Sequence, residues 1–153
     1  MSVTEIVIAV AVVLWILVRQ VQKRSVREDS RPIAFLIMAV IGVVEVANFM
    51  KSHPATPKAI LLTIVSLVIA AVFGVIRAYT VKLWREDGQL FRQGNAVTIG
   101  LWIIGIAIHF GGDTLIDTSA KGLSTSTILL YLAISLGVQQ VVVRSRAAQL
   151  NRV

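Results

Sequence analysis

Long apolar runs separated by short clusters of charge make up most of this chain. Five runs stand out, over residues 4–18, 33–50, 59–76, 96–110 and 124–143. A helix needs about 20 mainly apolar residues to cross roughly 30 Å of hydrocarbon, and each run approaches that length. The fourth is short and is expected to borrow Gly94 and Asn95. Little chain remains for a soluble unit. The pattern predicts an all-α membrane protein, one domain over residues 1–153 arranged as a five-transmembrane-helix bundle. The first run carries Glu5 at its start and leads into a basic segment instead of a small-residue cleavage site. It therefore reads as an uncleaved helix and not as a signal peptide.

The cations set an orientation. Arg19, Lys23, Arg24, Arg27 and Arg31 follow the first run, Arg77, Lys82, Arg85 and Arg92 follow the third, and Arg144, Arg146 and Arg152 follow the fifth. The alternate segments hold only Lys51, Lys58 and Lys121. Lys and Arg in short loops are retained on the cytoplasmic side, so the N-terminus is expected outside and the C-terminus in the cytoplasm. This alternation also requires an odd number of spans. Pro54 and Pro57 stiffen an external connection, Arg31-Pro32 opens the second span, and Gly111-Gly112-Asp113 ends the fourth.

Between spans three and four, residues 79–94 carry a turn signal. Asp87-Gly88 suits a type I′ turn, because both residues tolerate positive φ. Folding about it sets Arg85 opposite Leu90 and Trp84 opposite Phe91, an aromatic cross-strand pair. The competing reading extends the third helix through Trp84 to Gly88. The same stretch carries a resemblance. Val75-Ile76-Arg77-Ala78-Tyr79-Thr80, Leu83-Trp84-Arg85-Glu86-Asp87-Gly88, Phe91-Arg92-Gln93-Gly94 and Leu101-Trp102 resemble the CcdC-like bacterial membrane proteins, in particular their short actinobacterial members. Arg77-Ala78 departs from the Arg-Gly expected there. The resemblance covers about a third of the chain and implies a multi-pass bacterial membrane protein. Its name links the family to cytochrome c maturation, but it brings no catalytic residues to this chain.

Composition narrows the chemistry. The chain has no cysteine, which excludes thiolate catalysis, disulfide exchange and thiolate metal ligation. A net charge of +7 could suggest nucleic acid, but the cations flank apolar runs and fit a rim facing anionic lipid. No nucleic-acid partner and no cofactor are expected.

The residues that hydrocarbon would reject fall into stripes at three- and four-residue steps. Thr63, Ser66, Ala70, Gly74 and Arg77 mark the third span, Thr98, Trp102, Gly105 and His109 the fourth, and Thr127, Tyr131, Ser135 and Gln139 the fifth. Ala39, Gly42, Glu45 and Asn48 make a looser stripe on the second. Small and hydroxyl residues allow close approach and interhelical hydrogen bonds, so these faces are expected to point at one another. Glu45 stands apart, since it lies about 18 Å along its helix and a carboxylate there needs pairing, protonation or hydration. It is either a neutral, hydrogen-bonded acid or a binding carboxylate facing a cavity. Topology gathers Glu45, Asn48, Ser66 and His109 towards the external side, with His53 and Asp113 near them, but none of the spacings is a metal motif.

Three functions remain open. The favoured one is a non-enzymatic accessory or assembly subunit acting through a protein partner or as a homodimer, with Trp84, Phe91, Arg85 and Arg92 as its cytoplasmic contact. The second is a small dimeric transporter or channel using Glu45, with Asn48, Ser66, His109 and Tyr131 along the route. The third is a membrane metal or redox protein with a site near His109.

Overall fold

The computed structural model describes residues 3–27, 33–53, 56–113 and 122–152. Among them are five helices and a small sheet: α1 (Val3–Val21), β1 (Arg24–Ser25), α2 (Ile33–Ser52), α3 (Pro57–Thr80), β2 (Lys82–Glu86), β3 (Gln89–Gln93), α4 (Ala96–Asp113) and α5 (Leu123–Leu150). Pro32, Pro54 and the 114–121 connection lie outside the described residues, as do the side chains of Glu5 and Asp113.

Local chemistry explains the boundaries. Thr56 caps α3, its hydroxyl accepting the Ala59 N–H at 3.2 Å, and Pro57 follows at the first helical position, where its missing N–H costs nothing. Gly94 and Asn95 do not lengthen α4. Instead Asn95 caps it reciprocally: the Thr98 N–H donates to Asn95 Oδ1 and the Asn95 N–H donates to Thr98 Oγ1, both at 3.1 Å. The extra length comes from the other end, where the helix runs on through Gly111-Gly112 to Asp113. α5 likewise continues past residue 143 to Leu150. Its basic residues there do not end the helix, because Arg146 turns back to donate to the carbonyls of Ala78 and Val81 at the end of α3.

α3 stops at Thr80, and a hairpin follows rather than a helical extension. Asp87 and Gly88 have φ of 50° and 76°, the left-handed pair that a type I′ turn requires. The register pairs Arg85 with Leu90 and Trp84 with Phe91. The third strand was not expected. Arg24 and Ser25 pair antiparallel with Arg92 and Phe91, giving the order β1-β3-β2. A two-residue strand has no alternation to read, so the sequence pattern carries no sign of it.

α5 is the centre of the bundle, packing on α2, α3 and α4, while α3 also meets α4 and α1 packs chiefly on α4. Two crossings are backbone-close. A Cβ on Gly42 would lie 2.6 Å from the Leu130 nitrogen, and one on Gly74 would lie 2.6 Å from the Ser135 carbonyl oxygen. The helices alternate in direction. The ends of α1, α3 and α5 meet the sheet, through Gln93 Nε2 to the Val21 carbonyl at 2.9 Å and Arg85 Nη2 to Asn151 Oδ1 at 2.6 Å. At the opposite end Phe49 of α2, Ala59 of α3 and Leu123 of α5 cluster together.

Polarity is distributed inside out. Val40, Leu61, Val68 and Ile103 are more than half exposed, whereas Arg77, Thr98, Ser135 and Gln139 are 0–1% exposed. Soluble monomers rarely present so much contiguous apolar surface. α2, α3 and the Ser126–Leu150 part of α5 are long and apolar enough to cross a membrane, and Val10–Val21 and Ala96–Gly112 are shorter apolar helices. The architecture is compatible with a membrane protein.

Candidate functional site

The polar stripes of α3, α4 and α5 converge into a buried column along the bundle. Nearest the sheet, the Thr80 hydroxyl donates to the Arg77 carbonyl at 2.8 Å and meets the Thr98 hydroxyl at 2.7 Å. One step inward, the Arg77 guanidinium donates to Ser135 Oγ, and Ser135 donates in turn to the Ala70 carbonyl at 3.0 Å. The guanidinium carbon sits 3.7 Å from the ring centroid of Trp102. Such a stack is worth about 2 kcal/mol when desolvated. Arg77 Nε and Nη1 and Trp102 Nε1 are buried without a hydrogen-bond partner among the described residues.

Further towards the opposite end, the Tyr131 hydroxyl donates to the Gly105 carbonyl at 2.9 Å, and the His109 ring lies 4.5 Å from the Tyr131 ring. His109 Nδ1 and Ser66 Oγ are 2.9 Å apart, with the imidazole tautomer deciding which donates. A crevice of about 320 Å³ between α3 and α4 opens above this pair, walled mainly by Leu62, Val65, Ile69 and Ile108. Among the described residues it offers one imidazole and the hydroxyls of Ser66, Thr63 and Thr127, with no carboxylate.

The structure therefore unites Ser66, His109 and Tyr131 and separates them from Glu45 and Asn48. Both of these lie on the exposed face of α2, whereas His109 and Tyr131 are buried between α3, α4 and α5. Within α2, Gly42 alone is buried. His53 stacks on Phe49 at 4.6 Å. Among the described residues no three His, Asp or Glu side chains gather as metal ligands.

At the sheet, Trp84 and Phe91 stack at 6.0 Å. Their faces are not bare, because Lys23 Nζ lies 4.4 Å from the Phe91 centroid and 5.7 Å from that of Trp84. Lys23 also pairs with Glu86, which accepts from Trp84 Nε1 at 3.1 Å. These hydrogen bonds and the lysine charge hold the Glu86 carboxyl below its usual value of 4.5. Arg85 is exposed and bonded to Asn151, and Arg92 is half-buried opposite Leu83 and Arg24.

Two features escape a reading of the sequence. Gln139 has its partner in Gln20 of α1, Gln139 Nε2 donating to Gln20 Oε1 at 3.0 Å. Gln20 sits in the last turn beside Arg19 and Lys23, where an amide looks like part of the polar rim. The second feature is a cleft of about 120 Å³ between α1 and α2, backed by α5 and including Arg19, Gln20 and Arg92 in its lining. No protein-family model, no curated protein and no solved structure matches this chain.

Proposed function

We propose that this chain is a five-span integral protein of a bacterial cell membrane, N-terminus outside and C-terminus cytoplasmic, acting as a non-enzymatic accessory or assembly subunit through a protein partner or a second copy. The observation that carries this reading is where the polar groups face. The buried column bonds largely to itself across helices, while Glu45 and Asn48 point outward from the apolar face of α2. In hydrocarbon an outward acid and amide are costly unless another polar group meets them, and an associating helix supplies one. A transport route would need Glu45 turned towards His109 and Tyr131, and it faces away from them.

The orientation draws support from the sheet end, which gathers Arg24, Lys82, Arg85 and Arg92, against Lys51 and Lys58 at the other. α4, with 18 residues, is about 27 Å long at 1.5 Å per residue, enough for a slightly thinned bilayer. The CcdC-like resemblance agrees with the multi-pass arrangement and is part of this proposal.

The test is cross-linking and pulldown from native membranes with Glu45→Leu/Asn48→Leu. Loss of the associated species is expected, with Glu45→Gln retaining it. Undiminished association in the double variant, or ion flux in proteoliposomes that Glu45→Gln abolishes, would overturn the proposal. Reporter fusions should place residue 88 in the cytoplasm and residue 122 outside.

A further inference from the structure

The outward face of α2 carries a repeat of its own. Ile37, Ile41, Val44 and Asn48 follow one another at steps of four, three and four, the a/d spacing of a heptad with Asn48 at an a position. The three aliphatic residues are 44–54% exposed, and Asn48 is exposed as well. Gly42, roughly 130° away around the helix, holds α2 against the α5 backbone at Leu130 and so presents the seam outward. Glu45 is also exposed and stands at the seam's edge, one turn from both Ile41 and Asn48. α2 has 20 residues and is about 30 Å long, so Asn48 lies about 22 Å from its start, inside the hydrocarbon thickness.

We propose that this seam is a homodimer interface, with the α2 helices of two copies packed in parallel about an axis along the membrane normal and Asn48 facing Asn48. The inference rests on the assembly reading above and deepens it, naming the partner as a second copy. Copies inserted with one orientation present α2 in the same direction, and a parallel heptad seam sets each a or d residue against its own counterpart. A carboxamide carries both donor and acceptor, so Asn48 satisfies itself across the axis with no second residue type needed. Ile37, Ile41 and Val44 likewise meet their equals, which gives even packing where lipid removes the hydrophobic drive between helices. An unrelated partner would have to match both the repeat and the amide independently. The amide also fixes the register, because a slip of one heptad would set Asn48 against Ile41 and leave it unpaired.

The chain has no cysteine, so single substitutions report without background. Ile41→Cys, Val44→Cys, Leu36→Cys and Val43→Cys are each oxidised in native membranes and in lipid-diluted vesicles, and the disulfide-linked dimer is measured. Leu36 and Val43 are as exposed as the seam residues but lie on the other side of α2. Linking should be several-fold stronger at Ile41→Cys and Val44→Cys than at these two controls. Adding Asn48→Leu to Ile41→Cys should lower the linked fraction about threefold, the loss of one interhelical hydrogen bond in lipid, and Asn48→Gln should keep it. All these positions face outward, and an unchanged helix content and melt separate lost pairing from lost folding. Equal linking at all four positions, stronger linking at Leu36 or Val43, or linking that Asn48→Leu leaves unchanged would overturn the proposal. Absence of linking everywhere overturns it as well. In that case the assembly reading stands if pulldown still captures a different protein through Glu45 and Asn48, and falls too if pulldown captures nothing.

Discussion

The Arg77 guanidinium carbon lies 3.7 Å from the Trp102 ring centroid, and among the described residues the guanidinium has no acidic partner. Its charge is thus held in the bundle by a ring face, one hydroxyl and packing. A buried charge with incomplete hydrogen bonding is a weak source of stability, and an apolar side chain of similar volume often replaces it without loss. Arg77→Met should therefore keep the unfolding free energy in detergent within about 1 kcal/mol of the parent. Arg77→Ala leaves a cavity and should cost about 2–4 kcal/mol. Trp102→Leu should cost at least about 2 kcal/mol, because it strips the charge of its ring face. A severe loss in Arg77→Met would show that the guanidinium holds the column together.

The crossings at Gly74 and Gly42 admit no side chain, because the neighbouring atoms are backbone and cannot rotate away. Gly74→Val and Gly42→Val should each lower stability by roughly 1–3 kcal/mol. The loss should be read from detergent melts with the helix content unchanged. Tolerance of either substitution would mean that α5 lies farther from its neighbour than this packing requires.

Much of the helical interior was legible in the sequence. Thr98, Trp102, Gly105 and His109 are all buried, as are Thr127, Tyr131, Ser135 and Gln139. A four-residue step on a helix has one geometric meaning, and lipid-facing positions exclude polar groups. The hairpin was legible too, since Asp-Gly has few other uses. The α2 stripe misleads beyond Gly42, because polarity marks a side chain that needs a partner and does not say whether that partner is in the same chain. The closure of the sheet by β1 was hidden for a different reason. Lys23 reads as one more cytoplasmic cation, and its place over Phe91 depends on a pairing between segments more than sixty residues apart.

Lys23 and Glu86 make the sheet sensitive to acid. The folded Glu86 pKa lies below 4.5, so its contribution is complete above the ordinary carboxylate range and disappears as pH falls through the lowered value. The Val26 amide donates to the Leu90 carbonyl at 2.8 Å, and its protection factor against hydrogen exchange should fall on acidification below that range. Glu86→Gln should exchange faster at neutral pH and lose this acid response. An identical pH profile in parent and variant would remove Glu86 as its cause.

The turn gives a sharper local test. Gly88 has φ of 76° and open space around its Cβ position, so Gly88→Ala is limited by backbone strain alone. It should cost about 1–2 kcal/mol of hairpin stability. The effect should appear as loosened sheet amides with the helical bundle unmoved.

The amide pair of Gln20 and Gln139 joins residues separated by 119 positions. During synthesis α1 leaves the ribosome before α5. Throughout that interval the Gln20 carboxamide must be satisfied by water, by lipid headgroups or by a chaperoning insertase, since its eventual partner does not yet exist. α1 is therefore a provisional guest in the bundle, and α5 decides whether it stays.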